Sequence, residues 1–135
     1  MAEGDVGETV YLGVDDILSL YAEMMPCSVD EARDQLRNAE GLEGALARPL
    51  SHAHYGNADL ALQAAVLAHG IAEGQMFIDG NKRTALAALL LFLLANGFDV
   101  VATQSERASW ILDLSGTLTV EGLAEKLRAG LRPSG

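Results

Sequence analysis

The sequence predicts an all-α domain of six or seven helices, with at most a small hairpin. Three observations carry this. Half of the residues are hydrophobic but only 5% are aromatic, so the core is aliphatic and rich in Leu and Ala, which favour helix. Apolar residues recur at helical spacing in segment after segment. No set of strands can be assembled to build the sheet that the runner-up, a doubly wound α/β fold, requires. A chain of 135 residues fits one domain and buries roughly two-thirds of its unfolded surface without disulfide staples.

Taken in order, residues 1–9 read as a flexible tail, 10–132 as the domain and 133–135 as a frayed end. "VDDILSLYAEMM" places Val14, Ile17, Leu18 and Tyr21 on one helical face, with Asp15 and Asp16 in the first turn where the dipole favours them. Pro26 stops that helix. Ser28 and Glu31 form a capping box that opens a second helix to about Asn38. A short helix at "LEGALA" is expected to end before Pro49. "RPLSHAHYGN", with its proline, glycine and asparagine, reads as a loop or small hairpin. Asp59 caps a helix to about Gly74, and "QMFIDG" connects it to the longest helix, Asn81 to Ala95, apolar on all sides past Thr84 and expected at the centre. Asn96-Gly97 ends it in the left-handed manner. "FDVVAT" reads as a brief strand, and two amphipathic helices follow, with Trp110, Ile111, Leu114, Leu123 and Leu127 inward.

Composition sets the functional classes aside in turn. The formal net charge of −10 opposes broad affinity for nucleic acid or acidic lipid, so any anion site must be local. The longest apolar run, Ala85 to Ala95, is too short to span a bilayer. Cys27 stands alone, and the acidic start lacks the pattern of a signal peptide, which together predict a cytoplasmic protein. The acidic residues Asp15, Asp16, Glu23, Asp30 and Glu31 read as a solvated face.

One stretch concentrates chemistry: "GQMFIDGNKRTA", Gly74 to Ala85. With Asn81 in the first turn of a helix, free backbone N–H groups and the positive end of the dipole meet the preceding loop. Gly80 lets a ligand approach the backbone. Lys82 and Arg83 supply a point charge and a planar fork, two complementary ways of holding phosphate. Asp79 would repel a bare phosphate, and makes sense if Mg²⁺ bridges the two. A nucleotide di- or triphosphate such as ATP fits both halves. The plainer alternative is a solvated "DGNK" turn. Two cations at the unfavourable end of a dipole tip the balance, because local stability does not account for them.

The run "F-x-D-G-N-K-R-T-A" resembles the signature of the Fic/Doc family, His-x-Phe-x-Asp/Glu-x-Asn-Lys/Gly-Arg. The resemblance is closest to the death-on-curing branch, the toxins of toxin–antitoxin pairs. "GLEGALARP", "LAHGIAEGQMFIDGNKRTALAALLLFLLANGF" and "LTVEGLAEKLR" extend it over most of the chain. It implies a compact Fic-type bundle and transfer of part of a nucleotide, AMP or, with Lys in the motif, the terminal phosphate, onto a hydroxyl of a target protein. A translation elongation factor is the implied type of target and a cognate antitoxin the implied partner. By position, Asp79 would hold Mg²⁺, Gly80 and Asn81 would line the anion hole, Lys82 and Arg83 would bind phosphates, and Phe77 would pack under the loop. The segment around Tyr55 and Asn57 would be a flap contacting the target.

The departure is Gln75, which stands where the resemblance places a catalytic histidine. A carboxamide can orient a hydroxyl but cannot carry its proton away. This chain is therefore read as an impaired transferase, with a nucleotide-binding pseudoenzyme or a small-molecule phosphotransferase as alternatives. His69 is expected to be a packed helix residue, and His52 and His54 an exposed loop pair.

Overall fold

A computed structural model describes residues 8–114 and 116–135. The expected flexible tail lies outside these residues apart from Glu8 and Thr9. Among these residues are seven helices: α1 (Val14–Met24), α2 (Val29–Gln35), α3 (Ala39–Gly56), α4 (Leu60–Gly74), α5 (Asn81–Ala95), α6 (Gln104–Leu114) and α7 (Val120–Gly130). Two short strands, β1 (Phe98–Val100) and β2 (Leu131–Pro133), pair antiparallel with Asp99 opposite Arg132. The molecule is an all-α bundle with one small sheet. No helix of the described residues is long and apolar enough to cross a membrane.

Helix α4 is the hub. It packs on α3, α5, α6 and α7, and burial runs nearly round it, from Ala61 to Ala72. The small residues Ala64, Ala65, Ala68 and Gly70 allow this. A Cβ on Gly70 would stand 3.0 Å from Ala45 Cβ and 3.2 Å from Arg48 Nη1, so glycine sets the closeness of α3 and α4. Helix α5 packs on α4, α1, α6 and β1, but Leu94 remains exposed. The centre expected for α5 is shared with α4, the partner it packs against most extensively. The buried side chains of α1, α4, α5, α6 and α7, including Ile17, Leu67, Leu89, Trp110 and Leu123, form one continuous core.

Two expectations need correction. The segment read as a loop or hairpin, Arg48 to Asn57, is helical: α3 runs 18 residues through Pro49 and is the longest helix. Proline removes one N–H and crowds the preceding turn. Here Leu42, Ala45, Leu46 and Pro49 make one buried stripe against α4, and packing outweighs the local penalty. Asn57, in the left-handed region at φ 52, ends the helix. The end expected to fray is tied down as well. Arg132 and Pro133 lie in β2, Ser134 N–H donates to the Gly97 carbonyl at 2.9 Å, and Val101 N–H to that of Gly130 at 2.8 Å.

Candidate functional site

Helices α4 and α5 are joined by residues 75–80, and the joint opens a cleft of about 450 Å³. Gln75, Asp79, Gly80, Asn81, Lys82 and Arg83 line it, with Ala72 and Ile78. Gln75 leaves α4 in the left-handed region, φ 49 and ψ 51, and Gly80 enters α5 at φ 81. Both turns put the short loop across the end of the hub.

The loop is fixed on three sides. On one, the segment after α2 runs alongside it like an edge strand. Arg37 N–H donates to the Met76 carbonyl at 2.9 Å, and Ile78 N–H to that of Gln35 at 3.0 Å. From within, the Asn81 side chain closes a ring on Phe77. It accepts from the Phe77 N–H and donates to the Phe77 carbonyl, both at 2.9 Å. From below, the fully buried Phe77 stacks on Tyr21, with centroids 4.2 Å apart. The Tyr21 phenol is pushed above its ordinary pKa by burial first, then by the nearby Asp79 carboxylate and Cys27.

Electrostatically the start of α5 is unusual. Its N-cap, Gly80, has no side chain to offer, and its first turn holds no acid. Neither Lys82 nor Arg83 forms an ion pair among the described residues, although carboxylates outnumber Lys and Arg by 19 to 9. The Arg83 guanidinium touches only a weak acceptor, Met25 Sδ at 3.6 Å. Asp79 is exposed. One of its oxygens accepts from the Gly80 N–H at 2.8 Å. The described residues hold no group of three His, Cys, Asp or Glu that could cage a metal. A single carboxylate suits Mg²⁺, which keeps waters and arrives with phosphate oxygens, better than a resident metal cage.

The residues singled out in the sequence thus divide. Gln75, Asp79, Gly80, Asn81, Lys82 and Arg83 meet in one cleft, with Phe77 beneath. The Asn81 side chain also has a structural task, because one of its N–H groups and its oxygen hold Phe77, while its second N–H and its backbone N–H are not used in these bonds. Tyr55 and Asn57 do not join them. They sit where α3 turns into α4, while Gln75 lies at the far end of the 15-residue α4, a separation of about 22 Å along the axis. What borders the loop instead is residues 35–38, which carry no alternating apolar pattern to mark them as an edge. His52 is helical, its Nδ1 3.0 Å from the Arg48 carbonyl oxygen. With His69 it lines a separate cleft that does not include Gln75.

The structure is thus a helical bundle in which an uncapped helix start, two cations without an ion pair among the described residues and one carboxylate share a single cleft. The family is set by comparison: the family model described as Fic/DOC family matches residues 11–93, and the chain belongs to that family. No curated protein matches the chain.

Proposed function

We propose that this chain is a death-on-curing-type domain that binds a Mg-nucleotide in the cleft at the start of α5, and that its reaction type is transfer of phosphate or AMP to a hydroxyl of a target protein. The family supports a nucleotide-transferring domain. The observation that carries the finer reading is the start of α5, where free first-turn amides, Lys82 and Arg83 converge with no acid in the first turn and Asp79 just ahead of it. Preorganised N–H donors and cations of this kind stabilise phosphoryl charge without rearranging.

In this reading the amides of Asn81 and Lys82 and the Arg83 fork hold phosphate oxygens, while Asp79 holds Mg²⁺. The metal supplies charge neutralisation between phosphate groups. Gln75, lining the same cleft, accepts a hydrogen bond from the incoming hydroxyl and orients it. It takes no proton, and the absence of a general base lowers the rate by about 10²–10⁴. Positioning and charge sustain what remains. The toxin role, a translation-factor-type target and a partner antitoxin belong to the same proposal and rest on the resemblance.

The Gln75 side chain also supports a second reading, a pseudoenzyme that binds nucleotide without turnover. One comparison separates the two. The chain as given and Gln75→His are each supplied with ATP and Mg²⁺, and protein labelling and growth arrest are followed. Labelling by the His form supports the impaired transferase; nucleotide uptake with labelling by neither supports the binding module. No ATP uptake by either form by calorimetry ends the proposal.

A further inference from the structure

Tyr21 lies outside the cleft, on the buried face of α1, yet it touches the cleft's floor in three ways. Its ring is stacked on Phe77, 14° from parallel. Its hydroxyl donates to the carbonyl oxygen of Asp79 at 3.1 Å. Its Cε2 would stand 3.5 Å from a Cβ on Gly80.

The Asp79–Gly80 peptide is the link in this loop that has a choice of orientation. Glycine occupies positive and negative φ about equally well, so the steric term that would forbid a flip elsewhere is missing at Gly80. A flip of that plane, like the one relating two common β-turn types, reverses the carbonyl and the N–H together, because a trans peptide holds them antiparallel. In the observed orientation the carbonyl meets Tyr21 and the Gly80 N–H meets the Asp79 carboxylate. After a flip the Tyr21 hydroxyl, on a side chain only 2% exposed, would lose its acceptor. A buried donor without a partner is strongly disfavoured.

We infer that Tyr21 is a positioning residue: its hydroxyl selects the orientation of the Asp79–Gly80 peptide, and so presents the Asp79 carboxylate and the α5 amides to one ligand. Helix α1 thereby sets the geometry of a site formed by α4 and α5. Asn81 and residues 35–38 fix Phe77, Met76 and Ile78, but neither reaches the Asp79 carbonyl.

The binding part of this inference rests on the proposed function; the conformational part does not. The test uses the full chain with Tyr21→Phe, which keeps the stacked ring and removes the hydroxyl. The Kd for ATP with Mg²⁺ is expected to rise about tenfold, about 1.4 kcal/mol. In the ligand-free protein, the ratio of nuclear Overhauser effects from Gly80 N–H to the Asp79 Hα and N–H should change as the peptide samples a second orientation. Leu123→Ala, a core truncation on α7, controls for lost stability. An unchanged ratio in Tyr21→Phe overturns the inference. So does an unchanged Kd, or equal weakening by Leu123→Ala at a matched loss in thermal midpoint. If the unaltered chain takes up no Mg-ATP, the proposed function fails, while the Gly80 ratio still decides the role of Tyr21.

Discussion

The starts of α4 and α5 are two solutions to the same physical problem. Each helix leaves its first N–H groups without partners in the helix. At α4 the chain supplies Asp59, whose carboxylate accepts from the Leu62 N–H at 2.9 Å and also receives the Arg128 guanidinium. At α5 it supplies Gly80 and, in the first turn, two cations and no acid. The other starts side with α4. Ser28, Asn38, Thr103 and Thr119 accept from Glu31, Gly41, Glu106 and Gly122. Helix α1 opens on glycine but keeps Asp15 and Asp16 in its first turn. Among the described residues, α5 alone has neither device. In the proposed reading, that start is left open for an anion.

The contrast can be broken most forcefully at Arg83. Arg83→Ala should weaken Mg-ATP binding by about 1.5–3 kcal/mol, roughly ten- to a hundredfold, as expected for charge-assisted hydrogen bonds. Titration calorimetry reads this directly, and an unchanged Kd would remove the basis for the anion site. Gly80→Ala comes next. The space is adequate, since the nearest atom to a new Cβ, Met25 Sδ, stands at 3.4 Å, but φ is +81. The left-handed region costs a non-glycine residue about 1–2 kcal/mol, to be seen as a lower midpoint in urea.

Asp59→Ala sharpens the comparison from the other side. Loss of a cap costs about 1 kcal/mol, and ligand affinity should not change. Asp59 also makes stability depend on pH. Its pKa is lowered, chiefly by the hydrogen bond from Arg128. The folded state therefore holds the proton more weakly than the unfolded chain. Stability from Asp59 is present above the unfolded value, about 3.9, and is lost as pH falls through the lower folded value. Both partners are about half exposed, so screening keeps this part small; Asp59→Ala should be less stable than the parent near neutral pH, and the two should converge as the pH falls through the Asp59 titration. The smallest change in stability is expected from Lys82→Glu. An acid in the first turn should stabilise α5 by about 0.3–1 kcal/mol while abolishing anion uptake. A midpoint that falls would show that Lys82 contributes to the fold itself.

Legibility in the sequence followed locality. The cap Asp59 and the 81–95 apolar run give α4 and α5 nearly residue by residue, and Ser28 gives the start of α2, because each signal lies within one turn of what it specifies; the end of α2 falls at Gln35 rather than about Asn38. The cleft was legible for the same reason, since Gln75 to Arg83 are contiguous. Helix α3 was misread because Pro49, Gly56 and Asn57 are strong local breakers, and only packing on α4 carries the helix through the proline. The edge at residues 35–38 and the hydroxyl of Tyr21 left no local trace. Tyr21 belongs to the apolar stripe of α1 by spacing, and its link to Asp79 crosses 58 positions of chain. The same distance in sequence hid residues 35–38 as neighbours of the loop, whereas Tyr55 and Asn57 are suggested by the family resemblance alone.

The pairing of β1 with β2 has a practical corollary. It anchors the last residues beside the C-terminal end of α5, while the cleft occupies the opposite end of that 15-residue rod. A fluorophore or surface tether attached beyond Gly135 would thus stand about 22 Å from the cleft, clear of its mouth.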